Sequence, residues 1–225
     1  LDTSVPFAGE PQELNRRFRT PNMERLAREG MVFTDAYAAP VCTPSRVSLV
    51  TGMNPAHHKI TNWVHIERDR PTDQDSPTTP LLPPSWNFNG LSPVPGIPHT
   101  IHATPLPRLL QQAGYFTVHA GKAHFGSLGT PGSNPLNLGY VSNIAGSMAG
   151  QPENYHGENN YGNREGQWSH RSVQNMSEYY GSNVYLTDAL TSEALKPLDY
   201  PIAQHLPFFL YIGQYAVHLP NQPDP

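Results

Sequence analysis

A lone cysteine at position 42 sits in the run Pro40-Val41-Cys42-Thr43-Pro44-Ser45-Arg46-Val47-Ser48-Leu49-Val50-Thr51-Gly52. With no second cysteine in the chain, pairing into an internal disulfide is impossible. The residues after it spell a helix start: Thr43 suits the N-cap and Pro44 the first helical position, where its missing N–H has no intrahelical partner to lose. Val47, Leu49 and Val50 supply apolar positions and Gly52 a C-terminal stop. Cys42 is then expected just ahead of a helix N-terminus, where free N–H groups and the dipole favour an anion. Arg46, one turn on, reaches back as a fixed cation. That combination handles a tetrahedral oxyanion.

Two further stretches carry chemistry. Gly121-Lys122-Ala123-His124 follows the apolar run Tyr115-Phe116-Thr117-Val118-His119-Ala120, which reads as a strand. Chemical groups gather at the carboxyl ends of strands in open α/β sheets. Pro207-Phe208-Phe209-Leu210-Tyr211-Ile212 is a continuous apolar run of the kind buried on both faces, and it leads out to His218-Leu219-Pro220. A lone histidine is most often structural, and this chain has 11. His218 gains interest from its place beyond a strand.

The elements that must position these groups can be read between them. Thr20 to Gly30 reads as a short helix with Pro21 at its first position, and Met31 to Tyr37 as a strand with Val32, Phe33 and Ala36 facing a core. Thr104 to Gly114 reads as a capped helix, and another begins near Tyr185, with Leu186, Ala189, Leu190 and Ala194 on one face and Pro197 ending it. Prolines crowd residues 61–107 too densely for helix or central strand. There Trp63, His65, Trp86 and Phe88 are cleft-lining candidates, or the packing of a surface loop. Residues 127–182, rich in Gly, Asn, Tyr and Ser, read as polar loop, with Tyr155, Tyr161, Trp168 and His170 either facing a sugar or simply connecting elements.

Composition narrows the classes. Only 14% of residues are charged, and 25 of 225 are proline, so ordered loops should outweigh helices. A net charge of −4 offers no basic footprint for nucleic acid. No apolar run approaches the roughly 20 residues that span a bilayer.

Cys42-Thr43-Pro44-Ser45-Arg46, extended by Thr51-Gly52, resembles the Cys-x-Pro-Ser-Arg signature of the type I sulfatases of the alkaline phosphatase superfamily. Gly121-Lys122-Ala123-His124 and the Pro-Phe-Phe-Leu run ending in His218 resemble that family's second and third landmarks, in the same order. Thr20-Pro21-Asn22 through Tyr37 resembles the family's approach to its nucleophile. The resemblance implies an α/β fold, a mostly parallel sheet flanked by helices, with residues 1–225 part of an N-terminal catalytic domain. It also implies long loop excursions at 61–104 and 127–182, and a first strand and C-terminal subdomain outside this chain.

It implies too that Cys42 is oxidised by a formylglycine-generating or maturase partner. One hydroxyl of the formylglycine hydrate would attack sulfur, and the second would expel sulfate. Arg46 would hold that group, Lys122 neutralise the sulfate or leaving oxygen, His124 act as base at the hydrate, and His218 donate to the leaving oxygen. One Ca2+ is expected, with Cys42 as formylglycine its only ligand from this chain. On this reading the expected activity is hydrolysis of an organic sulfate, most readily a sulfated carbohydrate, outside the cytoplasm; this fragment alone should be inactive. Two alternatives stand beside it: a phosphonate or phosphate monoester hydrolase of the same superfamily, and a catalytically dead binder of sulfated glycans.

Overall fold

The computed structural model describes residues 4, 5, 13, 15–72, 87–167 and 169–224. Two compact units emerge, Leu1–Ala38 and Ala39–Pro225. In the first, α1 spans Pro21–Glu29 with Pro21 at its start, and the Gly30 N–H closes it on the Leu26 carbonyl at 2.9 Å. The Thr20 hydroxyl makes no cap bond and instead accepts from the Ser4 N–H at 2.8 Å. The strand expected over Met31 to Tyr37 does not form, and Met31, Val32 and Phe33 are exposed. A strand needs a neighbour for its ladder, and no described segment takes that place.

In the second unit, α2 spans Cys42–Thr51, with Val41 as the extended cap residue. Cys42 is thus the first helical residue rather than the one ahead of the cap, and Thr43 lies inside the helix. The reason is local competition: the buried Thr43 hydroxyl accepts the Val64 N–H at 3.1 Å, so it is not free to cap. Gly52 closes the helix as expected, at φ 71, with its N–H on the Ser48 carbonyl at 2.8 Å. Val47 and Val50 are buried, whereas Leu49 points outward. A single turn, α3 (Pro55–His58), follows with Asn54 as its cap.

The described part of the proline-rich stretch carries two three-residue strands, β1 (Gly90–Ser92) and β2 (Thr100–His102), paired parallel with Gly90 opposite Thr100. Trp86 lies outside the described residues. Phe88 stacks on His99 with ring centroids 4.2 Å apart. Next come α4 (Leu106–Gln112), with Pro105 rather than Thr104 as its cap residue, and β3 (Phe116–Gly121). The run 127–182, read as loop, contributes β4 (Ser142–Ile144) and buries Tyr155, Tyr161 and Met176 in a hydrophobic cluster. Helix α5 (Leu186–Leu195), α6 (Asp199–Ala203) and β5 (Phe208–Gly213) complete the unit.

β3 is the centre of a three-stranded, all-parallel sheet ordered β4-β3-β5. α4 and α5 pack against β3. Thr117 to Gly121 are buried, as befits a central strand. β5 was expected to be buried on both faces, but Phe208 is 43% and Ile212 45% exposed. It is an outer strand among the described residues, so only its Phe209 and Tyr211 face packs, on a core of Val47, Val50, Ile60, Leu91 and Phe125. The pairing of Phe116 with Phe208 runs through to Gly121 with Gly213, so both strands end at the same level. Gly121 lies at φ 87, and a Cβ there would stand 2.2 Å from the Gly213 carbonyl oxygen. Only glycine permits that approach.

Candidate active site

The levelled ends of β3 and β5 release the two loops that carry Lys122, His124 and His218. From β3 the chain passes to Lys122, whose N–H donates to the Gly213 carbonyl at 2.6 Å, and on to His124, whose N–H donates to the Ser147 carbonyl at 2.9 Å. From β5 it passes through buried Tyr215 to His218. His218 is held by its backbone: its N–H donates to the Tyr215 carbonyl at 2.9 Å, and its carbonyl accepts the Tyr155 hydroxyl at 2.9 Å. Tyr155 is therefore a brace beneath the loop and Tyr161 a core residue, neither of them sugar-facing at its ring.

Cys42, His124 and His218 line one cavity of about 450 Å3, together with Val41, Trp63, Val64, Ile66, Gly150, Gln151 and Arg171. Among the described residues no Asp or Glu lines it. Lys122 is buried beside it, a hydrogen-bond neighbour of Cys42. Arg46 Nη1 donates to the Lys122 carbonyl at 2.6 Å and to the Tyr211 hydroxyl at 3.3 Å, which fixes the guanidinium under the site. The Tyr211 ring stacks in turn on His119, centroids 5.2 Å apart. The five residues singled out in the sequence, Cys42, Arg46, Lys122, His124 and His218, thus fall in one neighbourhood.

Charges respond to that crowding. Burial pulls the Lys122 ammonium below its ordinary pKa, the Cys42 sulfur opposes this, and Arg46 adds to it. His124 is pushed down to about 3, first by burial; the Val64 carbonyl opposes, and Lys122, Arg46 and His218 add to the fall. Its Nε2 lies 2.9 Å from the Val64 carbonyl oxygen. A carbonyl only accepts, so Nε2 carries the proton and Nδ1 is left as a lone pair. That Nδ1 is buried with no hydrogen-bond partner among the described residues. His124 also holds a left-handed backbone, φ 52, a strained conformation for a residue with a side chain. Gly150 makes room for the ring: a Cβ there would lie 2.5 Å from Cε1 and 2.7 Å from Nδ1. His218 is exposed and shifted down by partial burial and then by Lys122, with the Leu219 carbonyl opposing and the Arg171 and Arg46 charges adding to the fall.

A basin with cations beneath it, no carboxylate in its wall among the described residues and a sulfur at a helix N-terminus suits an anion. The model for the family described as Sulfatase matches residues 12–225. The chain belongs to the sulfatase family. Relatives of this sulfatase chain include N-acetylgalactosamine-6-sulfatase of Canis lupus familiaris, 30% identical across 94% of this chain and 36% of the relative. An Escherichia coli protein described as an uncharacterized sulfatase, YdeN, is 27% identical across 90% of the chain and 32% of its own length. The chain thus spans about a third of the length of these curated relatives. Among solved structures, Ps i-CgsB in complex with k-i-k-neocarrahexaose superposes with a TM-score of 0.59 at 28% identity, over 90% of this chain and 41% of that one. BT4656 in complex with its substrate D-glucosamine-2-N,6-O-disulfate shares the fold, with a TM-score of 0.51 at 23% identity, over 91% of this chain and 31% of that one. The mixed α/β architecture with parallel strands is the sulfatase fold.

The sequence reading did not find Arg171, Gln151 or Gly150. Their only signal is an arginine standing in a Gly-, Asn- and Ser-rich run. Of the aromatic candidates, Trp63 lines the cavity, while His65 and His170 line a neighbouring one. Trp168 lies outside the described residues. Among the described residues no three His, Cys, Asp or Glu side chains gather as a metal site. Ca2+ takes six to eight oxygens, so these residues alone do not supply its shell.

Proposed function

We propose that the protein is a sulfuric ester hydrolase acting on a sulfated carbohydrate, with formylglycine derived from Cys42 as its nucleophile. The observation that carries this reading is the convergence of Cys42, His124 and His218 on one cavity with Lys122 and Arg46 beneath it. Position 42 fits the modification: its side chain opens into the cavity at a helix N-terminus and neighbours Lys122. Formylglycine there supplies, as its hydrate, one hydroxyl to attack sulfur and another whose deprotonation releases sulfate.

The chain's own residues account for the rest. Lys122 donates to a sulfate oxygen, and its burial strengthens that contact by excluding water. Arg46, fixed by the Lys122 carbonyl and the Tyr211 hydroxyl, holds the group at position 42. His124 offers the Nδ1 lone pair as proton acceptor. Its basicity is low first because the ring is buried and then because cations surround it, and the negative charge of bound sulfate raises it. His218, exposed at the cavity rim, donates a proton to the leaving oxygen. The named substrates of relatives and neighbours, an N-acetylgalactosamine 6-sulfate among them, support a sugar sulfate. Action outside the cytoplasm and a maturase partner belong to the same proposal, as does a Ca2+ to which this chain gives only position 42.

The deciding test is mass spectrometry of the tryptic peptide ending at Arg46, from full-length protein made in its own host, joined to a panel of sulfate and phosphate esters. Formylglycine at position 42 with turnover of sugar sulfates supports the reading. Cysteine retained despite co-expression with a maturase, with no turnover, would leave a glycan-binding relative in its place.

A further inference from the structure

The cavity holding Cys42 does not end at Arg171. A second cavity of about 670 Å3 shares two wall residues with it, Ile66 and Arg171, and continues past Glu67, Glu153 and Ser169. Arg171 therefore stands at the seam of a trough with the reaction centre at one end. Its backbone is fixed: the Arg171 N–H donates to the Ser169 hydroxyl at 3.2 Å, and its carbonyl accepts the Glu153 N–H at 2.9 Å. The carboxylates of the second cavity each pair with an arginine other than Arg171, and one of these, Arg70, also lines that cavity. Glu67 pairs with Arg70 at 3.3 Å, and Glu153 with Arg164 at 3.7 Å. Arg171 makes no ion pair among the described residues, yet its charge is felt at His218. A guanidinium on an anchored backbone, unpaired and facing two joined cavities, is built to grip an oxyanion in a forked bond.

We propose that Arg171 recognises a second anionic group, a sulfate or carboxylate, on the sugar residue next to the one whose sulfate reacts, and that the second cavity seats that residue. The inference rests on the sulfatase reading and adds the charge pattern of its substrate. Ser169 and the carboxylates of Glu67 and Glu153 suit the hydroxyls of the neighbouring sugar, which donate as well as accept. The reactive sulfate keeps Lys122 and Arg46 to itself, so the two anions are read by different cations.

The test uses full-length protein, wild type and Arg171→Gln, with three synthetic disaccharides. All carry the reactive sulfate; the neighbouring residue carries a sulfate, a carboxylate or neither. KM for the two doubly anionic substrates should rise about tenfold in Arg171→Gln, with kcat within about twofold, while the singly anionic one is unchanged. The first two arms say which oxyanion is preferred. Equal losses on all three substrates, or none on any, would overturn the proposal. Calorimetry of the same disaccharides on unconverted protein separates this from the parent reading. Binding that depends on the second anion and on Arg171, without turnover after conversion, defeats hydrolysis and keeps the subsite. Equal Kd values in both proteins, or no binding by wild type, defeat the subsite.

Discussion

The loops that leave β3 and β5 start level with each other and solve opposite problems. The β3 exit is sunk and pinned: Lys122 and His124 are buried, both N–H groups are bonded to neighbouring main chain, and Gly150 closes over the imidazole. The β5 exit presents His218 to solvent, fixed through its backbone while its ring makes a 3.4 Å contact to the adjacent Leu219 carbonyl. Under the proposed function the difference teaches a division of labour. The groups proposed to meet sulfate charge are set in advance in a water-poor floor, where electrostatic stabilisation costs no reorganisation. The group proposed to meet the variable leaving alcohol stays where it can adjust.

The comparison breaks most severely at its buried half. Lys122→Ala removes the cation beside position 42, and kcat should fall on the order of 10³-fold in steady-state assays, as for loss of a preorganised oxyanion donor. Gly150→Ala tests pinning without removing any functional group. Its methyl meets the His124 ring at 2.5 Å, and with the ring unable to yield in its buried slot, kcat should drop about 10²-fold while circular dichroism stays native. An unchanged rate would show that the ring is not held.

His218→Ala probes the exposed half, and kcat should fall about 10²-fold with substrate binding retained. Its pH signature has a definite sign. The His218 pKa is lowered, so the protonated donor is lost as pH rises through a value below the ordinary one. The kcat/KM profile of wild type should therefore decline on the alkaline side of that value, and the decline should vanish in His218→Ala.

The smallest effect is on stability. His119 and His124, both buried, are each pushed down to about 3. Unfolding lets them take up protons below about 6.5, so stability is complete above that pH and is lost as pH falls toward 3. His119→Phe, with its aromatic neighbours Tyr140 and Tyr211 in place to pack the new ring, should flatten the fall of melting temperature between pH 7 and 4. An unaltered slope would assign the acid sensitivity elsewhere.

Much of this arrangement was legible in the chain, for identifiable reasons. β3 and β5 announce themselves because apolar runs flank Gly121 and Gly213, and the groups beyond them follow from strand polarity. The start of α2 was misplaced by two residues because the hydroxyl of Thr43 serves Val64, a contact across 21 positions that no local rule contains. β4 was invisible: it is three residues long, and its Asn143 side chain is turned to the Gly146 backbone. The expected strand at Met31 had local propensity but no described partner. Arg171 and Gly150 reach the site only through the folding of a run without periodicity, which pattern reading treats as connection.

The hydrogen bond from the Lys122 N–H to the Gly213 carbonyl, with Gly121 pressed against the same residue, joins the two exits through main chain alone. Spacing between reactive groups is therefore indifferent to most side-chain identities around the rim. Trp63, Gln151 and Arg171 line the cavity without taking part in that main-chain bond, so such a scaffold is suited to changing its rim one residue at a time while its floor stays put.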